Sequence, residues 1–384
     1  MTQRIPIAII GATGYTGIEL VRLMVQHPNA EIVAVTSRQQ AGEKISTLFP
    51  FLTGLCDLAY EDLNVEQLAK RVRAVFLCLP HHESMEIAAG FRKKGTTVLD
   101  LSADFRLKEA AMYEKWYGPH TQKELLREAV YGLPEFYREE IKKAKLIAVP
   151  GCYPTSIQLG LAPLLKNKLI ETKGIICDSK SGVSGAGRTA RIDTLFCEVH
   201  ENFKAYNVGC HRHTPEIEQE LSLLAGDKVT VIFAPHLLPV DRGILSTIYC
   251  EPKSKTSTDD LIKLFRSFYK NEPFVKILPE GTLPETKNVR GTNFCHISPL
   301  FDERTGKIVV IATIDNLTKG ASGQAVQCFN LIHGFPESAG LESIGLYPLP
   351  QARLQRKPGG CKGYVLSIAD DFDESLEDFK DYMG

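Results

Sequence analysis

Seven residues near the start of the chain, Gly11-Ala12-Thr13-Gly14-Tyr15-Thr16-Gly17, restrict its fold more than any other stretch. They follow an unbroken apolar run at 5–10 (IPIAII). They precede residues 17–26, where Ile18, Val21 and Val25 fall along one side at helical spacing. An unbroken apolar run suits a strand covered on both faces. The pattern is therefore strand, glycine turn, helix. Glycines let the backbone turn sharply and approach a pyrophosphate, and the helix N-terminus offers free N–H groups to the anion. The spacing is G-x-x-G-x-x-G rather than the commoner G-x-G-x-x-G, and by itself it describes any strand-to-helix turn. Its place at the first strand–helix junction of an alternating pattern points to a dinucleotide.

That alternation continues with strand patterns at 31–36 (EIVAVT), 74–79 (AVFLCL), 97–101 and 146–149. It predicts an α/β fold, a Rossmann-type, doubly wound parallel sheet over residues 1–150. From Gly151 the texture changes. A helix pattern at 156–166 is followed by Gly174–Ser179, a Gly/Ser-rich loop and a polar middle holding most of the histidines. β-type runs then appear at 229–234, 243–250, 274–277, 293–298 and 308–314. Strands with few helices predict a second, α+β catalytic domain of mixed sheet over 151–317. A helix at 322–333 is placed to return to the first domain, within about 318–334. Residues 351–384 begin basic and end acidic, and read as an extension without an assigned task.

The end of the second strand chooses between cofactors. An NAD-type site puts a carboxylate there for the ribose 2′-hydroxyl, whereas this chain has Thr36-Ser37-Arg38. A hydroxyl and a guanidinium suit a 2′-phosphate, so NADP is expected. The net charge of −1 carries no nucleic-acid footprint. No stretch approaches the roughly 18 apolar residues of a membrane span, and the N-terminus lacks a secretory pattern. Ten cysteines without a C-x-x-C pair suit reduced thiols. A cytoplasmic enzyme acting on a small molecule is expected, with neither nucleic acid nor membrane as partner.

One cysteine stands apart. Cys152, in Val149-Pro150-Gly151-Cys152-Tyr153-Pro154, lies where the last strand of the first domain meets a helix. A helix N-terminus favours thiolate over thiol and offers N–H groups to an oxyanion. A proton-transfer partner is expected in Cys210-His211-Arg212-His213-Thr214-Pro215-Glu216, with Thr214 as N-cap and both histidines in extended backbone. Residues two apart in a strand share a face, so periodicity does not choose between His211 and His213. Glu216 is a candidate to orient an imidazole. A zinc site of Cys210, His211 and His213 is a weaker reading, because no second ligand pair follows. Arg106, after a strand end, is placed to grip a phosphate or carboxylate. The loop Ser181–Arg188 (SGVSGAGR) is either a connector or a backbone surface against the nicotinamide half of the cofactor.

Together the stretches GATGYTG, LPHHESM, LSADFR, YGLPE, PGCYPT, SGVSGAGR, HRHTPEIEQ and NLTKGASGQAVQ, with GLYP near Pro348, closely resemble the N-acetyl-gamma-glutamyl-phosphate reductase family. These are arginine-biosynthesis enzymes related to aspartate-semialdehyde dehydrogenase. The resemblance covers nearly the whole chain up to that point. It implies NADPH-dependent reduction of N-acetyl-glutamyl 5-phosphate through a thioester on Cys152. It makes His211 the acid/base residue, with His213 the alternative and Glu216 beside it. It implies cofactor contacts at Gly11, Thr13, Gly14, Tyr15, Thr16 and Gly17. Further cofactor contacts fall at Ser37, Arg38, Pro80 and Asn316, and at Ser181, Gly182, Ser184, Gly185 and Ala186. Substrate contacts are expected from Arg106, Ser156 and His213, and a homotetramer or homodimer is implied. No metal is expected. Aspartyl or aminoadipyl phosphate is the alternative substrate, and a catalytically silent NADP-binding regulator is the alternative of another class.

Overall fold

The computed structural model describes residues 4–342. Seven strands form the first sheet: β1 (Ile5–Ile10), β2 (Ala30–Thr36), β3 (Tyr60–Glu61), β4 (Ala74–Leu77), β5 (Thr97–Asp100), β6 (Val130–Tyr131) and β7 (Leu146–Ala148). Their order is β3-β2-β1-β4-β5-β7-β6, with every pairing parallel. The chain winds outward from β1 on one side and from β4 on the other. The carboxyl ends of these two neighbours therefore border the crevice where such sheets take ligands. β4 and β5 are buried at every position, as strands covered on both faces must be. The expected doubly wound sheet is present, and only β3 and β6, two residues each, escape the periodicity argument.

The second sheet contains β8 (Ile175–Gly182), β9 (Lys204–Ala205), β10 (Val231–Leu238), β11 (Ile244–Cys250), β12 (Val275–Ile277), β13 (Cys295–Asp302) and β14 (Lys307–Ile314). Its order is β12-β13-β14-β11-β8-β10-β9. β8 with β10 and β12 with β13 are parallel, and the other pairings antiparallel. The stretch after Gly174, not counted among the β-type runs, is an inner strand of this sheet. Its buried face carries Ile175, Cys177, Ser179 and Ser181, so small hydroxyls masked an alternation that is nonetheless there.

The helix Cys152–Lys166 lies on one face of this sheet, against β11 and β14, and is buried continuously from Tyr153 to Leu165. A helix apolar all round is a core helix. On the sheet's other face Ile176 pairs across to both Ile232 and Tyr249, and the three side chains are exposed. After β14 the chain makes a π-helical turn, Thr318–Ser322, and a helix, Gly323–Ile332. That helix packs against the first helix, Tyr15–Met24, and its Phe329 ring lies 5.8 Å from that of Phe76 under the first sheet. Partly buried ionic contacts fasten the same region. Arg242 donates to Glu19 of the first helix and to Asp315, and Thr318 Oγ1 donates to Glu19. The extension at 351–384 and Pro348 lie outside the described residues.

Candidate active site

The carboxyl end of β1 delivers the glycine turn. Gly11 has φ +84°, and a Cβ there would meet the Cys78 carbonyl oxygen at 2.5 Å. A Cβ on Gly17 would lie 2.4 Å from the Gly11 carbonyl oxygen. These two glycines let the turn close. Gly14 has almost nothing beside it, so its backbone faces open space at the helix start. The first helix has no side-chain cap and no acidic residue in its first turn, which leaves its N–H groups and dipole for an anion.

This turn lines one end of a cleft of about 870 Å³. Gly11, Thr13, Gly14, Tyr15 and Thr16 all border it, joined by Ser37 and Arg38 from the end of β2 and by Pro80 after β4. The Arg38 side chain is 76% exposed, and its guanidinium stands 3.2 Å from Glu83. Ser184, Gly185 and Asn316 form the facing wall. Asn316 is fixed at both ends of its amide, accepting from Gly243 N–H at 2.8 Å and donating to Ser184 Oγ at 2.9 Å. Gly17, Ser181, Gly182 and Ala186 stand behind these walls rather than on them. Gly182 is there for space, because a Cβ would meet Arg242 N at 2.7 Å.

Cys152 borders the same cleft as the first residue of its helix, with Gly151 as N-cap and no side-chain cap. The helix begins four residues before the expected position, which puts the thiol at the free N–H end. Packing around it is tight. A Cβ on Gly320 would fall 2.7 Å from Cys152 Cβ, and one on Gly151 would fall 2.6 Å from His213 Nε2 and 3.0 Å from Arg106 Nη1. Burial pushes the Cys152 thiol up to about 11, although the Tyr153 N–H and the Arg106 charge pull it down; Glu216 opposes them. The expected resting thiolate is thus corrected: desolvation outweighs the helix terminus, and the thiol keeps its proton at neutral pH.

His213 lines the cleft and His211 does not. His213 is the N-cap of the helix Thr214–Ala225, with φ −77° and ψ −14°, so it is not extended and Thr214 is not the cap. Burial, then the charges of His211, Arg106 and other neighbours, hold the His213 imidazole well below its ordinary value. It is neutral at pH 7, and its buried Nδ1 has no hydrogen-bond partner among the described residues. His211 sits behind it among the rings of Tyr153, Tyr206 and Phe233, and its Nδ1 accepts the His213 backbone N–H at 3.1 Å.

Glu216 does not orient an imidazole. Its Oε1 accepts from the Gly151 N–H and the Tyr131 hydroxyl, both at 2.8 Å, and its Oε2 from Arg106 Nη1 at 3.4 Å. This carboxylate fixes the residue before Cys152. Arg106 borders the cleft with three of its five N–H donors committed to Val149 O, Leu101 O and Glu216. Ser156 is fully buried away from the cleft, its hydroxyl shared with Tyr153 O and Ser246 Oγ, which removes it from substrate contact. For the zinc reading, the described residues contain no suitably placed group of three or more ligands.

Among the cleft residues to which the sequence reading gave no role of their own are His81, Arg188 and Gly320. His81 Nδ1 accepts the Ala103 N–H at 3.2 Å, and burial followed by Arg106 lowers the ring to about 4. Each falls within a stretch quoted above, LPHHESM, SGVSGAGR and NLTKGASGQAVQ, but none stands at a strand end or helix cap that would single it out.

Residues 6–144 match the family described as semialdehyde dehydrogenase, NAD binding domain, and residues 152–316 match semialdehyde dehydrogenase, dimerisation domain. Among curated relatives, proteins named N-acetyl-gamma-glutamyl-phosphate reductase from Pelobacter propionicus and Citrifermentans bemidjiense are each 56% identical to this chain. The alignments cover 89% and 90% of this chain and 99% and 100% of those proteins. Among solved structures, aspartate semialdehyde dehydrogenase II from Vibrio cholerae, complexed with ASA, is similar with TM-score 0.65 at 17% identity. That similarity covers 87% of this chain and 99% of the other. Aspartate semialdehyde dehydrogenase with NADP from Candida albicans is similar with TM-score 0.63 at 16% identity, over 86% and 99%.

Proposed function

Because the chain belongs to the semialdehyde dehydrogenase family, among its N-acetyl-gamma-glutamyl-phosphate reductases, we propose that it converts N-acetyl-L-glutamyl 5-phosphate to N-acetyl-L-glutamate 5-semialdehyde and phosphate with NADPH, through a thioester on Cys152. The observation that carries the reading is a single cleft bordered both by the glycine turn and by Cys152 at a helix N-terminus. The residues fit the dinucleotide. The uncapped helix behind Gly14 would take the pyrophosphate, and Ser37 and Arg38 the 2′-phosphate; Ser184, Gly185 and Asn316 would back the nicotinamide. When bound, NADPH would supply a hydride to the acyl carbon.

The chain's own groups do the rest. Cys152 Sγ bonds to the acyl carbon as its proton passes to the neutral imidazole of His213, the histidine at the cleft surface. The N–H groups at the start of the Cys152 helix receive the charge that develops on the carbonyl oxygen. Arg106 faces the departing phosphate, which leaves with the proton from His213. In the second half the Cys152–carbon bond breaks and His213, which gave its first proton to the phosphate, takes a second from solvent and passes it to Sγ, so the thiol is regenerated. On this reading residues 1–150, with the returning segment near 318–334, hold the nucleotide, and 151–317 carry the chemistry and assembly.

The proposal extends to a cytoplasmic, arginine-forming enzyme. The free thiols of all nine described cysteines accord with a reducing compartment. A second copy would cover the exposed row Ile176, Ile232 and Tyr249, giving a homodimer or a tetramer built from it. The test is phosphate-dependent reduction of NADP⁺ by N-acetylglutamate semialdehyde, compared with aspartate semialdehyde. The expected result is preference for the acetylated substrate, and no turnover in Cys152→Ser. Undiminished turnover in that variant would remove the thioester.

A further inference from the structure

We infer that Arg188 is a phosphoryl-binding residue of the cleft, set to contact the 2′-phosphate or the pyrophosphate of NADP; this rests on the dinucleotide reading given above. The chain leaves β8 through a short 3₁₀ turn, Val183–Ala186, whose Ser184 hydroxyl donates to Asp241 O. Gly187 follows at φ +85°, a conformation that favours glycine, and Arg188 then lies on the facing side of the cleft. Its Nη1 donates to Thr13 O at 2.7 Å, inside the glycine turn itself. Its guanidinium carbon stands 5.1 Å from the centre of the Phe49 ring.

An exposed arginine ordinarily samples many rotamers, and these two contacts hold this one in place. No carboxylate pairs with it among the described residues, whereas Arg38 stands beside Glu83. The result is a preset, uncompensated cation whose planar fork suits phosphoryl oxygens, located beside the backbone that would cradle them. The residue comes from the second-sheet side of the cleft and the glycine turn from the first. Cofactor binding would thereby draw on both sides.

The experiment measures binding of NADP⁺ and of NAD⁺ by calorimetry, without turnover, to the wild type, Arg188→Ala, Arg188→Lys and Phe49→Ala. We expect Arg188→Ala to weaken NADP⁺ about 10- to 100-fold, the range for loss of a charge-assisted hydrogen bond. Arg188→Lys and Phe49→Ala should give smaller losses. If NAD⁺ binding is unchanged, the contact is to the 2′-phosphate; if both weaken equally, it is to the pyrophosphate. Wild-type affinity for both nucleotides in Arg188→Ala overturns the inference alone. A wild type that binds neither nucleotide overturns the dinucleotide reading and the inference with it.

Discussion

Gly320 and Cys152 touch so closely that a Cβ on the glycine would lie 2.7 Å from the cysteine's Cβ and 3.1 Å from its Cα. Gly320 belongs to the π-helical turn Thr318–Ser322, an uncommon element that recurs at functional sites. The turn is pinned on every side. Lys319 Nζ, fully buried, donates to Glu135 at 2.6 Å and Gln327 at 2.8 Å, and Ser322 Oγ donates to Thr16 O at 2.7 Å. The nucleophile's seat is thereby tied to the glycine turn. Gly320→Ala must displace Cys152, because backbone on both sides is held. A displacement near 1 Å costs on the order of 100-fold in rate. We expect that loss in kcat/KM, with NADP⁺ affinity retained and about 1–3 kcal/mol of stability lost to overpacking. Turnover within threefold of wild type would contradict it.

The two histidines separate by substitution. His213 borders the cleft and His211 supports it from behind, through the His213 backbone and a shared aromatic cluster. His213→Asn is expected to lower kcat about 100- to 10,000-fold, the usual value of a positioned acid/base. His211→Asn should cost less and mainly by loosening His213. Measuring kcat for both variants decides, and the reverse ranking returns the proton to His211.

Much of this was legible from local pattern, and the reason is distance along the chain. β1, the glycine turn and the Cys152 helix start are each written in under a dozen consecutive residues, where period and glycine spacing speak directly. Glu216 holds the backbone of Gly151, 65 positions away, so HTPE suggested only its nearest histidines. Arg188 reaches Thr13 across 175 positions. Ser156 sits in the right helix but points into the hydroxyl chain it makes with Ser246 and Ser179, which requires knowing that β8 and β11 are neighbours. The protonated thiol was hidden for the same reason. A helix start is visible in sequence, and the burial that outweighs it is not.

The thiol and imidazole predict a specific pH response. With the Cys152 thiol at about 11, its thiolate fraction rises about tenfold per pH unit from 7 to 10. Iodoacetamide labelling of Cys152 in the free enzyme, mapped by mass spectrometry, should rise in step; a plateau near pH 7 would contradict it. Turnover should behave differently. The depressed His213 stays neutral well below its ordinary 6.5, so kcat/KM should show no fall centred there as pH drops from 7.5 to 5.5.

Acid stability tests the joint between the first helix and the second sheet. Glu19 is buried, which by itself would raise its carboxyl. Hydrogen bonds and charges from Arg22 and Arg242 overcome this and hold it at about 2 rather than 4.5. A carboxyl lowered in the folded state contributes stability that is fully present above pH 4.5 and is lost as pH falls towards 2. The shift corresponds to about 3 kcal/mol. Urea unfolding of the wild type between pH 6 and pH 2.5 should therefore lose more free energy than Glu19→Gln, by most of that amount. Glu19→Gln should begin less stable at pH 6, because it leaves the half-buried Arg242 with Asp315 as its one carboxylate partner among the described residues. Parallel pH profiles for the two proteins would mean that the Glu19–Arg242 contact contributes nothing to holding the two sheets' elements together.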